Sequence, residues 1–159
     1  LLTALTRGDP YFDREPDCGT SDRVSALVAV YPCCRLDATA EDFRAIGLEP
    51  VNYRSGPRCA ESIFLGQLVE DSPELCRLAA PITHVRPDMP PAMILHGTAD
   101  TVIPYTYTVE LIRRCREIAG EDRVEGCIIP GAGHSDPRFK SEETCGRILD
   151  FLDRARRGA

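Results

Sequence analysis

The sequence predicts an α/β protein built on a small parallel sheet, and two observations lead there. Short apolar runs at 24–31 (VSALVAVY), 92–95 (AMIL) and 124–129 (VEGCII) are each bounded by Pro, Gly or charged residues. Segments with helical spacing lie between and after them, the longest about 15 residues. Strands that alternate with helices of that length form βαβ units, whose crossovers cover both faces of a parallel sheet. A strand buried on both faces reads as a continuous apolar run rather than an alternating one.

Residues 1–6 read as the last turns of a helix, closed by Arg7-Gly8-Asp9-Pro10, where Gly takes the left-handed cap and Pro forbids continuation. Residues 9–22 are polar and rich in turn formers, and the run at 24–31 is ended by Pro32. The stretch 35–60 is irregular apart from a short helix at 40–45, and a second short helix falls at 61–69. Long, weakly ordered stretches inside compact chains are commonly caps or lids, which makes 35–80 the expected cap region. Asp71-Ser72-Pro73-Glu74 starts the next helix: capping side chains, Pro at the first helical position, then an acid at the positive end. Pro81 stops it.

Residues 105–119 form a helix with Thr108, Leu111, Ile112, Cys115, Ile118 and Ala119 on one face, closed by Gly120. Ser141 caps the last helix, with Glu142 and Glu143 in its first turn and Arg154, Arg156 and Arg157 at its negative end. Cys145, Ile148, Leu149 and Leu152 form its expected inner face. Three strands are few for such a sheet, and residue 1 is Leu rather than Met. The expectation is the C-terminal part of a larger domain, whose first strand here would otherwise leave a hydrophobic edge open.

Composition narrows the partners. The 159 residues are 43% hydrophobic and 28% charged, with 19 basic against 25 acidic side chains and a net charge of −6. An acidic balance argues against a binder of nucleic-acid phosphates. No apolar run approaches the roughly 20 residues that span a bilayer. None of the eight cysteines pairs at the C-x₂₋₄-C spacing of a structural zinc site, and no metal or organic cofactor is implied. Reduced, structural cysteine in a reducing, cytoplasmic compartment is the reading, with Cys115, Cys127 and Cys145 acting as small hydrophobes. A disulfide among Cys18, Cys33, Cys34 and Cys59 is the alternative.

Chemistry in open α/β sheets collects just past the carboxyl ends of strands. Two such points are unusual here. Leu95-His96-Gly97-Thr98-Ala99-Asp100-Thr101-Val102-Ile103-Pro104 follows the second strand, and Ile129-Pro130-Gly131-Ala132-Gly133-His134-Ser135-Asp136 follows the third. A carboxylate and an imidazole, 34 residues apart, are thus each presented on a Gly-containing loop.

These segments, with Pro81-Ile82-Thr83-His84-Val85, Pro90-Pro91-Ala92-Met93-Ile94 and the helix-strand start, resemble the C-terminal part of the α/β-hydrolase superfamily. The likeness is greatest to the small serine esterases of the acetyl-esterase, feruloyl-esterase-like and carboxylesterase group, with the prolyl-oligopeptidase domain as a cousin. That resemblance implies a fold of three parallel strands flanked by helices with a short cap insertion. It also implies a triad in the order Ser, Asp, His, with Asp100 as the acid and His134 as the base. The implied partner is a small-molecule ester, hydrolysed through an acyl-enzyme.

The nucleophile departs from the pattern. The family carries it in a G-x-S-x-G turn before the strands seen here, and no such turn exists in the 159 residues. Gly19-Thr20-Ser21, Ser55-Gly56 and Gly133-His134-Ser135 each lack one glycine or both. The serine is expected just upstream of Leu1, which leaves this chain with two thirds of a triad and inactive alone. A prolyl-oligopeptidase-like peptidase is the alternative enzyme, and a truncated, non-catalytic hydrolase-like protein the alternative outside enzymes.

Other candidates have plainer readings. Asp136, two residues past His134, reads as a solvated cap, and His96 and His84 as structural residues. Cys33-Cys34 lacks the flanking glycines of a thiol elbow. Tyr105 and Tyr107 either line a site rim or pack.

Overall fold

The computed structural model describes residues 1–12, 19, 21, 23–52 and 55–158. Cys18, Thr20 and most of the turn-rich 9–22 stretch lie outside the described residues. The element order is α1 (Leu2–Leu5), β1 (Leu27–Val30), α2 (Ala40–Arg44), α3 (Ala60–Leu65), α4 (Pro73–Ala79), β2 (Ala92–Gly97), α5 (Tyr105–Ala119), β3 (Val124–Ile129) and α6 (Glu142–Arg157), with short 3₁₀ turns between.

The three strands form one parallel sheet in the order β1-β2-β3, with Leu27 opposite Ala92 and Ala92 opposite Val124. β2 is central, and all six of its residues are buried. Successive side chains of a strand point to opposite faces, and β2 divides its residues accordingly. Ala92 and Ile94 join Leu5, Cys76, Leu111, Ile112 and Cys115 of α1, α4 and α5 on one face. Met93 and Leu95 meet Phe139 and Phe151 on the other, where α6 lies. The sheet is therefore covered on both sides.

Local chemistry explains most element ends. Thr39 and Asp42 form a reciprocal capping box at the start of α2. Gly66, at φ +73°, ends α3 in the left-handed conformation. The Ser141 hydroxyl accepts from the Thr144 amide at the start of α6, as expected from the sequence. Ser72 does not cap α4 with its side chain; its hydroxyl is buried and, among the described residues, lacks a hydrogen-bond partner.

Two further expectations are corrected. β1 is shorter than 24–31, and all four of its residues are half-buried rather than buried on both faces. Among the described residues it pairs only with β2. Its amides at Leu27 and at the following Tyr31 donate to Pro91 and Leu95, so the alternation turns those of Val28 and Val30 to the open edge. The inner face of α6 is also different. Thr144 and Phe151 are buried and Ile148 packs beside them, whereas Cys145, Leu149 and Leu152 are exposed. The bulk of Phe151 sets this phase, because an aromatic ring buries more apolar surface than the leucines it turns outward.

Cys33, Cys34, Cys59, Cys76, Cys115, Cys127 and Cys145 are free thiols. Burial pushes the Cys34 thiol up to about 12 and that of Cys115 up to about 11. Both therefore act as small apolar groups. Among the described residues no helix is long and apolar enough to cross a membrane.

Candidate active site

Asp100 and His134, placed on separate loops by the sequence, meet in the structure. The carboxylate Oδ2 of Asp100 lies 2.8 Å from Nδ1 of His134. Asp100 is fully buried, whereas the His134 side chain keeps 28% of its surface exposed. An ionised carboxylate only accepts hydrogen bonds, so Nδ1 of His134 carries the hydrogen and Nε2 is the acceptor nitrogen.

The loop after β2 is shaped to hold the carboxylate. Oδ1 of Asp100 accepts from the backbone N–H groups of Val102, at 2.8 Å, and Ile103, at 2.9 Å. This is the side chain-to-backbone turn that Asp favours, and it stops the carboxylate from rotating. Oδ2 faces a second ring as well: Nε2 of His96, also fully buried, is 3.1 Å away. Burial acts to raise the Asp100 pKa. The hydrogen bonds from His96, the Ile103 amide, His134 and the Val102 amide outweigh it and hold the carboxyl below the ordinary carboxylate range.

The loop after β3 is tied to the first at several points. Thr98 N–H donates to Ile129 O, Ala99 N–H to Ala132 O at 2.9 Å, and Gly131 N–H to the Thr98 hydroxyl at 2.8 Å. Gly97 makes this approach possible, since a Cβ there would overlap the Ala132 carbonyl. The positive φ of Gly131 (+68°) and Ser135 (+61°) bends the chain on either side of His134.

Tyr31, immediately after β1, completes the surroundings. Its ring centroid lies 4.3 Å from that of His134, and it packs edge-on against Phe139 at 5.2 Å. Sequence reasoning missed this residue. The one local signal is an aromatic side chain at the end of an apolar run just before Pro32.

The remaining candidates are placed as follows. Asp136 caps the turn at Pro137–Lys140 and pairs with Arg138, which holds its carboxyl far below the usual range. His84 contacts the Leu78 carbonyl at 2.7 Å and packs edge-on against Phe12. Tyr107 is buried beneath the Arg35 guanidinium rather than at the rim. Burial pushes its phenol above the ordinary range. Among the described residues, no group of three or more His, Cys, Asp or Glu side chains is arranged to hold a metal ion.

A cleft of about 640 Å³ runs along the open edge of β1 and reaches Val102 and Ile103 of the Asp100 loop. Val30, Pro32 and Phe64 contribute to its mainly apolar wall.

A parallel sheet covered by helices on both faces is the architecture of the α/β-hydrolases, and solved esterase structures share this fold. A truncated carbohydrate esterase from gut microbiota superposes with a TM-score of 0.67 at 22% identity, over 86% of this chain and 45% of that one. Esterase 2 of Thermogutta terrifontis superposes at 0.56 and 22% identity, over 88% of this chain and 44% of that one. Esterase LipC of Mycobacterium tuberculosis is 29% identical over 163 residues, which covers 99% of this chain and 33% of LipC. The chain belongs to the BD-FAE family, whose model matches residues 1–114. It spans a third of the length of LipC and less than half of either esterase structure.

Proposed function

We propose that this chain carries the acid and base of a serine esterase that cleaves small carboxylic esters through an acyl-enzyme. The observation that carries the reading is the 2.8 Å hydrogen bond between buried Asp100 and half-buried His134. Esterase LipC, to which nearly the whole chain is similar, favours an ester over a peptide bond as the substrate. The nucleophile in this reading is a serine of a G-x-S-x-G turn that the 159 residues do not contain, so the chain alone is inactive. Residues 35–80 form the cap.

A serine hydroxyl attacks well only while a base removes its proton, and Nε2 of His134 is the available acceptor. As the serine oxygen bonds to the carbonyl carbon, the proton passes to Nε2, and Asp100 stabilises the resulting imidazolium through Nδ1. His134 then returns the proton to the departing alcohol, which leaves the acyl-serine. A water molecule repeats the sequence: His134 takes its proton, the acyl–oxygen bond breaks, and the serine regains a proton as the acid departs.

The test is turnover of p-nitrophenyl acetate by the full-length enzyme and its His134→Ala variant. The expected loss is at least ~10³-fold in kcat with the fold retained. Near-normal turnover in that variant would overturn the reading.

A further inference from the structure

Behind the Asp100–His134 pair lies a second imidazole that the mechanism above leaves idle. His96 is the fifth residue of β2, on the face that packs against α5, and it is fully buried, as are Asp100 and Thr108. Its Nε2 is 3.1 Å from Oδ2 of Asp100 and 3.2 Å from the carbonyl oxygen of Ile103. Its Nδ1 is 2.6 Å from the Thr108 hydroxyl.

These partners assign the tautomer. Both neighbours of Nε2 are acceptors, so Nε2 carries the hydrogen. Nδ1 of the neutral ring then accepts from the Thr108 hydroxyl, and every polar atom of the buried ring is satisfied. His134 has the opposite tautomer, with its hydrogen on Nδ1. Two imidazoles therefore present N–H groups to the same carboxylate oxygen, one from the core and one from the exposed side. They are the titratable side chains bonded to Asp100.

We infer that His96 is a positioning residue of the esterase reaction: oriented by Thr108, it holds Oδ2 of Asp100 in line with Nδ1 of His134. The inference rests on the function proposed above. A residue that merely filled the strand end would need no polar atom there, and burying an imidazole is unfavourable unless both nitrogens find partners. Here both do, and one partner is the oxygen that orients the base. The two amides of Val102 and Ile103 hold Oδ1, and His96 performs the same task for Oδ2.

Withdrawal of this donor has two consequences. Oδ2 keeps His134 as its one remaining side-chain donor, so the orientation of the base loosens and kcat falls. The carboxylate, less neutralised from behind, also stabilises the His134 imidazolium more strongly, which moves the acid limb of the kcat/KM profile to higher pH. Neither effect involves substrate binding, so KM is expected to stay within about twofold.

The experiment compares His96→Phe, His96→Gln and Thr108→Val in the full-length enzyme, with p-nitrophenyl acetate as substrate and His134→Ala alongside. His96→Phe keeps a ring and lacks the donor. It should lose roughly 10- to 100-fold in kcat, the effect of removing one charge-assisted hydrogen bond from a buried carboxylate. Its acid limb should shift upward. His96→Gln, which restores an N–H near the position of Nε2, should recover most of the rate. Thr108→Val should show a smaller loss and a shift in the same direction. Wild-type kcat and pH profile in His96→Phe, with only a lower melting temperature, would overturn the inference. If His96→Phe does not fold, unchanged kcat and profile in Thr108→Val would overturn it. Loss of activity in His134→Ala together with either of those results removes this inference alone. Full turnover in His134→Ala removes the esterase reading and this inference with it.

Discussion

The Tyr31 ring packs against that of His134, tilted by 51° with centroids 4.3 Å apart, from a backbone conformation at φ +41°. Non-glycine residues rarely adopt such angles, which cost of the order of 1–3 kcal/mol. The surroundings impose it: the Tyr31 amide donates to Leu95 O at 2.7 Å, and the ring is wedged between His134 and Phe139. The strain thus sits at the end of the edge strand, where the polypeptide turns to bring an aromatic surface onto the His134 ring.

Tyr31→Ala should lower kcat/KM of the full-length enzyme by roughly 3- to 10-fold, since ring pairs of this kind contribute about 0.5–1.5 kcal/mol. Tyr31→Phe should stay within twofold, as the contact is made by the ring. Tyr31→Gly should melt no lower than Tyr31→Ala, because glycine accepts positive φ without a Cβ clash. A lower melting temperature for the Gly variant would show that the backbone strain has no thermodynamic weight.

Asp100→Asn presents an amide where His134 needs an acceptor, which favours the wrong tautomer. The expected loss is ~10³–10⁴-fold in kcat. The same substitution probes acid stability. Asp100 titrates below the ordinary value of about 3.9 in the native state, so its contribution is fully present above that pH. It is lost as pH falls through the lower native pKa. Thermal melts between pH 6 and pH 3 should therefore fall less steeply in Asp100→Asn than in wild type. Parallel curves would argue against the lowered carboxyl.

Gly97→Ala places a Cβ against the Ala132 carbonyl and should force the loops after β2 and β3 apart. Overpacking of this kind costs about 1–3 kcal/mol. The displaced Ala99–Ala132 hydrogen bond would carry the Asp100–His134 geometry with it, and kcat should fall more than about 10-fold. Unchanged kcat beside a lower melting temperature would mean that the two loops hold their register independently.

The phase of α6 can be read from unfolding in urea. Phe151→Ala should cost about 3–5 kcal/mol, as for other large buried side chains. Leu149, 63% exposed, should tolerate Ala within about 0.5 kcal/mol. Equal costs would contradict the orientation of this helix.

The order of elements, the parallel sheet and the ends of β3 and α5 are legible in the amino-acid sequence, because each has a strong local signal. Val124–Ile129 is a bounded apolar run, and Tyr105–Ala119 has one apolar face between a Pro and a Gly. The loops bearing Asp100 and His134 were legible for the same reason: Gly beside a polar side chain at a strand end is a local pattern. The core partners of a side chain, however, also lie on other elements. Whether β1 is buried depends on a second neighbour for its outer edge. Whether α6 turns Phe151 or Leu149 inward depends on the shape of the sheet it covers, since both stripes have helical spacing. Tyr31 is about a hundred residues from the ring it touches, and His96 is fixed by a hydroxyl on α5 and a carbonyl in the loop before it. Which polar atoms face one another after the chain closes is a property of the packing, and it is the packing that puts a histidine on each side of Asp100.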